Sequence, residues 1–579
     1  MKVVSEKLKE VMNQNIRPTT QFQASLEMRD RSVEGDATVT TSEAMPFSTS
    51  VFDETHEGDY VAFEKDFFQV GSNQRILPDS DFIRSGYVSS VMCDSSGVFQ
   101  EIPIIEISLA TAQNFVGMTY EFAYAYPTQI RVTYYLGGVR KGQFISVPTD
   151  LTFVDSKNRL SEFDRITFEF LSMSEPNRRL RISRISFGYE KKFNMGDILS
   201  VNHNLNIDPI SASLPYEKLT LKVNNLDKDY NPDNPQGLWV YFTHGQQLSI
   251  RYGIEVDGVV EWVDAGKLYL SDAPTVDANS ASFEAVDTIS TLTYEYNKGL
   301  WRAEGITLYD LAVDVLNDAG VTRYVLPDSL KSIVTFAPLP ILPHRECLQM
   351  IANAGECVLY TDVQGAVVIE NQIHEETPID YHIDFTRAFE KPIVKKTEKL
   401  KSVDVKVHSM HRTTEMSELC KQTGVTIGGI KEVQVMYDTA TDVVATVVGG
   451  ELVNATYYAR SAFLTISAES TVDITMNGYA IKDDASVFST KVSDTGEVCP
   501  LDNPLITDTD RAKNVGEWVA AYLVSRNTYD MKIRQDFTLD INDVVYIRSD
   551  FEDNIPARIT KLQLKLPGQQ GSVSVRRVK

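Results

Sequence analysis

The segment Asp227-Lys228-Asp229-Tyr230-Asn231-Pro232-Asp233-Asn234 places an oxygen-bearing side chain at every second position, the spacing with which a loop can wrap a calcium ion. Two positions break the pattern. Pro232 stands where the sharp turn needs glycine, and Leu238 stands where a bidentate glutamate completes the coordination. Asx-turns and an Asn-Pro turn account for the same residues, so no metal is assigned. His408 and His411 form an H-x-x-H with Cys420 further on. On a strand that spacing sends the two imidazoles to opposite faces, which does not make a zinc site. Asp53, Glu54, Glu57 and Asp59 cluster, and paired carboxylates hydrolyse glycosides, but an acidic run of this kind reads as a solvated loop. There is no G-x-S-x-G, no H-E-x-x-H and no phosphate loop ending in Gly-Lys-Ser/Thr, so the expectation is a protein that is not an enzyme and uses no cofactor.

The elements that must position these residues are mostly strands. Ile166, Phe168 and Phe170 alternate with Thr167 and Glu169; Leu219, Leu221 and Val223 with Thr220 and Lys222; Val403, Val405 and Val407 with Asp404 and Lys406. Asp257-Gly258 and Asn477-Gly478 mark hairpin turns, because these residues tolerate positive φ. Three helices are expected. One spans 307–319, with Thr307 and Asp310 as a capping box and Gly320 as the stop. A second spans about 344–354, with Cys347, Leu348, Ile351 and Ala354 inward, and a third about 510–525. Residues 1–300 read as nearly all β. Residues 301–390 read as a small α/β unit ending in a hairpin through Gly365, and 391–505 return to β.

At roughly 150 residues per domain, 579 residues suggest about four domains. With 56 basic and 80 acidic residues the net charge is −24, which excludes a broad phosphate-gripping face. Five scattered cysteines (Cys93, Cys347, Cys357, Cys420, Cys499) give neither a disulfide framework nor a C-x-x-C pair, and read as free thiols in a reducing cytoplasm. The first ten residues lack the apolar core of a secretion signal, and no apolar run reaches membrane-spanning length, so no membrane anchor is expected.

The most specific stretch runs from Asn224 to Gly253. It contains Asn224, Asp227, Asn231, Pro232, Asn234, Pro235 and Gly237, then His244-Gly245-Gln246 and Leu248-Ser249-Ile250-Arg251-Tyr252-Gly253. This stretch resembles a signature of tail-tip and baseplate hub proteins from tailed bacteriophages and prophages. In that signature an Asn/Pro-rich loop joins two barrel strands and a glycine relieves the corner. Ala352-Asn353-Ala354-Gly355 within 308–370 is similar to the hub's inserted α/β unit. The order helix 510–525, Arg534, Asp540 to Asp543, strand 544–547 and Pro567-Gly568 is similar to its closing region. The resemblance covers about 193–579 with leading strands near 20–48.

The resemblance implies a mainly β fold with a small α/β unit: two hub-type β-barrels plus an inserted jelly-roll-like β-sandwich. The expected organisation is 1–49, leading strands of the first barrel; 50–192, the inserted sandwich; 193–300, the rest of that barrel; 301–390, the α/β unit; 391–505, the second barrel; and 506–579, a closing helix and strands. The inserted segment is similar to discoidin-like or carbohydrate-binding modules. Tyr124 and Tyr126 are its candidate glycan-binding residues, although tyrosines at strand positions are more often core. The implied role is a structural virion protein at the tail tip, assembled in the host cytoplasm. It would link the tail tube to the host-facing apparatus and frame the channel for DNA. The implied partners are two further copies in a homotrimer, a distal tail or tail-tube ring protein, a tape measure protein, and tail-tip or receptor-binding proteins. A host cell-wall glycan joins them if 50–192 is an adhesin. The competing readings are that adhesin and a tail-associated cell-wall hydrolase. On the hub reading, acidic side chains line the channel so that DNA passes without sticking.

Overall fold

The computed structural model describes the chain apart from residues 1, 3, 15, 29–34, 36, 43, 49, 53–59, 65–66, 68–85, 235–236, 375–376 and 579. The acidic cluster at Asp53 to Asp59 and Pro235 therefore lie outside the described residues. The protein is mainly β and divides into two compact units. One comprises Met1–Ala24, Phe193–Asp227 and Gln247–Lys579, the other Ser25–Lys192 and Lys228–Gln246.

In the larger unit, a long antiparallel sheet draws strands from both ends of the chain. Its order runs Ile393–Lys396, Asn527–Arg534, Gln570–Arg577, Ile555–Leu566, Ile198–Asn206, Tyr216–Asn224, Ser280–Val286, Val259–Leu270, Gln247–Val256 and Gln21–Glu27. Period-2 burial, as in Tyr216–Asn224 where Leu219, Leu221 and Val223 point inward, sets one face of each strand against the core. The Asp257-Gly258 turn forms as expected, with φ of 52° and 83° between the paired Val256 and Val259.

The helices include Glu6–Asn13 (α1), Leu308–Asp318 (α2), His344–Ala354 (α3) and Thr509–Val524 (α4), of which α2, α3 and α4 follow the local signals closely. Thr307 caps α2 by accepting from the Asp310 main-chain N–H, and Gly320 lies beyond its end at φ 70°. α1 was not anticipated in a region read as all β. Ser5 caps it, and Leu8 and Met12 are buried. Helices α2, α3 and α4 share one apolar core with strand Leu400–Val407, through Leu311, Val315, Cys347, Ile351, Val405, Val515 and Val519. Ser486–Lys491 pairs antiparallel and Glu497–Leu501 parallel with Leu400–Val407.

This arrangement redraws the expected domain borders. Strands after residue 526 pair with both parts of the chain: Asn527–Arg534 with Ile393–Lys396, and Ile555–Leu566 with Ile198–Asn206 through the register Val201↔Leu566 to Asn206↔Lys561. Residues 400–407 and 486–524 belong with 301–390 in one core. What remains of the second β region is segment 410–483, a small body of two short sheets around Val435, Leu464, Ile466, Val472, Ile474 and Met476. The Asn477-Gly478 turn is also corrected, because both residues lie inside strand Thr471–Asp483. Gly478 serves close packing there: a Cβ would come within 2.9 Å of Leu419 Cδ1 and 3.1 Å of Val443 Cγ2.

In the smaller unit, strands Tyr87–Met92, Arg179–Phe187, Ile104–Phe122, Thr152–Met173, Pro127–Leu136 and Val139–Ser146 form one hydrogen-bonded sheet in that order. Thr38–Thr41, expected in the first barrel, pairs instead with Ile104–Phe122. The two longest strands, of 19 and 22 residues, shift register between Ser108 and Phe115 and enclose a core rich in Phe, including Phe115, Phe163, Phe168, Phe170 and Phe187.

Candidate functional site

The described residues of the Asn/Pro segment form a loop held by its own polar groups. Asn224 Oδ1 accepts from the Leu226 N–H, and Asn231 Oδ1 from the Asp233 N–H at 2.9 Å. Asn234 Nδ2 donates to the Lys228 carbonyl at 3.0 Å, while the Gly237 N–H donates to the Asn234 carbonyl. The Asn224 and Asn231 bonds are Asx-type turns, and the latter occupies the Asn231 oxygen that a calcium loop would turn toward an ion. Gly237 lies where backbone comes close, since a Cβ would sit 2.7 Å from the Asp229 carbonyl oxygen. The structure thus brings Asn231, Asn234 and Gly237 together, while Asn224 and Asp227 lead into them.

A second feature is a cleft of about 800 Å³ in the larger unit, lined by Glu217, Glu261, Asp264, Asp362, Glu370, Asp540 and Asp543 beside Trp262 and Tyr360. It is assembled from the hairpin 247–270, the hairpin 357–371 and the loop 540–543. Lys2 is the cation among its lining residues. Ser5 Oγ donates to Glu261 Oε2 at 2.7 Å, and the Tyr360 hydroxyl donates to Glu370 at 2.8 Å. Burial pushes the Asp543 carboxyl above the usual carboxylate range. Chemically this surface repels polyanions and favours cations.

Behind Glu217, the closed interior holds a buried polar group. His203 Nε2 lies 2.7 Å from Glu217 Oε1, and the Tyr252 hydroxyl reaches His203 Nδ1 at 3.3 Å. Sequence reading missed this pair although it was detectable. His203 alternates in phase with Val201 and Leu205, and Glu217 with Leu219 and Leu221, so each polar residue stands at an inward position. Asp287 caps a short helical turn by accepting from the Ser290 N–H and also accepts from Thr361 Oγ1; burial raises its carboxyl to about 6.

The remaining sequence candidates separate. Tyr124, at φ 67°, is half-buried and edge-on to Phe67 at 4.7 Å, and Tyr126 is half-buried against the aromatic core. His408 is buried between two carboxylates, whereas His411 is exposed, 3.5 Å from Asp484. All five cysteines are free, and burial pushes the Cys347 and Cys357 thiols up to about 12. Among the described residues no helix is long and apolar enough to cross a membrane.

No family model matches the chain, and no curated protein does. Solved structures similar to it include tail proteins. The prophage MuSo2 43 kDa tail protein from Shewanella oneidensis aligns at 11% identity and TM-score 0.34, covering 66% of this chain and 94% of its own. A tail protein from Neisseria meningitidis MC58 aligns at 8% identity and TM-score 0.39, covering 67% and 93%. Prophage tail protein gp18 from Listeria monocytogenes EGD-e aligns at 7% identity and TM-score 0.37, covering 67% and 91%.

Proposed function

We propose that this protein is a structural component of a tailed-phage tail tip, the hub that joins the tail tube to the host-facing apparatus. The observation that carries the reading is the sheet running through Val201↔Leu566, which welds strands from both halves of the chain into one continuous wall. The Asn/Pro loop bearing the hub signature leaves that wall directly after strand Tyr216–Asn224. A wall of this kind transmits load between neighbours and has no need of a catalytic centre. In this reading copies associate as a trimer around a channel, and the carboxylates near Glu217 and Asp540 face the passing polyanion. The phage particle, assembled in the host cytoplasm, is the protein's destination.

Two measurements test this together. Sedimentation of the full chain over a wide concentration range should show a trimer. Electron micrographs of particles labelled with an antibody to this chain should place the label at the tail tip. A strictly monomeric chain, or label elsewhere on the particle, overturns the proposal. Hydrolysis of cell-wall polymer by the full chain would replace it with the enzyme reading.

A further inference from the structure

Segment 410–483 is held against residues 297–301 along a seam. Ser461 Oγ donates to the Asn297 carbonyl at 2.8 Å, and Lys298 Nζ lies 5.7 Å from the centre of the Tyr458 ring. Arg460 packs on Gly299, where a Cβ would stand 3.0 Å from Arg460 Cγ and Cδ. Beside these ties the seam leaves a pocket of about 130 Å³, lined by Trp301, Asp442, Tyr457 and Tyr458 together with Leu300 and Val443. At about 10–15 Å³ of such volume per water, it has room for about ten waters or one sugar ring. Three of the lining side chains are each fixed by one bond. Trp301 Nε1 donates to the Phe336 carbonyl at 2.9 Å, the Tyr457 hydroxyl accepts from the Ala445 N–H at 3.2 Å, and Asp442 Oδ2 pairs with Arg412 at 2.9 Å. Each keeps something in reserve. Among the described residues no ring or cation stacks on Trp301, the Tyr457 hydroxyl proton has no acceptor, and Asp442 Oδ1 has no donor.

Aromatic walls with a few fixed polar groups are the make-up of a small-molecule site. Charge is balanced here, because Asp442 is paired with Arg412 and Lys298 stands beside Tyr458, so the pocket does not select an ion. A bare indole face, a hydroxyl donor and a carboxylate acceptor match a ring with one apolar face and a hydroxyl-bearing edge. We infer that the seam is a binding site for one pyranose residue, its ring against Trp301 and its hydroxyls bonded to Tyr457 and Asp442. The site is separate from Tyr124 and Tyr126, which belong to the smaller unit. It rests on the pocket alone and not on the tail-tip reading.

The test uses the full chain labelled with ¹⁵N-tryptophan, which gives 4 indole signals by NMR, that of Trp301 assigned through Trp301→Phe. Glucose, galactose, mannose, N-acetylglucosamine and rhamnose are titrated, each as the free sugar and as its methyl glycoside. At least one should move the Trp301 signal saturably and leave the other three in place. Equal affinity for the two forms marks a free sugar as the ligand, and tighter binding of the glycoside marks a chain-linked residue; either result supports the site. By calorimetry, Trp301→Ala should weaken binding at least tenfold. Tyr457→Phe and Asp442→Asn should each weaken it about fivefold, the scale of one hydrogen bond. Should Trp301→Ala misfold, these two variants, both at exposed positions, decide alone. A Trp301 signal that no sugar moves, one moved by choline in place of the sugars, or affinity unchanged in both Tyr457→Phe and Asp442→Asn overturns the site.

Discussion

His203 Nε2 and Glu217 Oε1 meet at 2.7 Å inside the large sheet, although their strands pair them with other residues: His203 lies opposite Leu219, and Glu217 opposite Leu205. They are diagonal neighbours on one inward face, close enough for long side chains to touch. Each satisfies a group that would otherwise be buried and unpaired. His203→Ala should therefore cost about 3–5 kcal/mol, because it leaves a buried carboxylate without its partner. Replacing both by leucine should cost far less than the sum of the single changes. Denaturant unfolding, followed alongside hydrogen exchange in strand Tyr216–Asn224, separates these outcomes; an additive double variant would show that the two do not interact.

Two buried groups tilt stability with pH in opposite directions. The Asp287 carboxyl, raised by burial from 3.8 to about 6, stays neutral in the fold while the unfolded chain ionises. Its contribution is therefore full below about pH 4 and is lost as pH rises to about 6. Asp287→Asn keeps an oxygen for the Ser290 N–H, and the Thr361 hydroxyl can reverse to accept. It should gain about 3 kcal/mol relative to wild type above pH 7. His374, stacked on Trp518 at 5.3 Å, is lowered from 6.5 to about 4 by burial and then by Arg558 and Arg576. Its contribution is present above about pH 6.5 and is lost as pH falls toward 4. His374→Phe should flatten that acid side. Unfolding midpoints across pH 4–8 check both variants, and parallel profiles for wild type and D287N would refute the first.

Gly237→Ala should loosen the Asn/Pro loop. The new Cβ would stand 2.7 Å from the Asp229 carbonyl oxygen and 3.0 Å from that of Asn234, so backbone must move. The expected cost is about 1–3 kcal/mol, confined to this loop. Limited proteolysis between 228 and 246 should quicken while hydrogen exchange in the Leu308–Asp318 helix stays unchanged.

Local chemistry made several elements legible in advance. The Thr307–Asp310 cap, the stop at Gly320, the Asp257-Gly258 turn and the polar loop at Asn231 to Gly237 each depend on residues close in sequence, so composition and spacing determine them. Inward positions were also readable from period 2, including His203 and Glu217, whose polarity at an apolar phase marks a buried pair. Pairing was different. A strand's alternation says which face is buried and does not say which strand lies beside it. Asn477-Gly478 carries a turn signal, yet it runs straight through a strand because Leu419 and Val443 pack closely over Gly478. The same non-local hydrogen bonding put 555–566 beside 198–206, more than 350 residues apart in sequence, and drew carboxylates from 217 to 543 into one cleft. His408 makes the point most simply. Its spacing to His411 suggested a metal and its strand position argued against one, but only the fold could set Asp483 and Asp502 on either side of the ring.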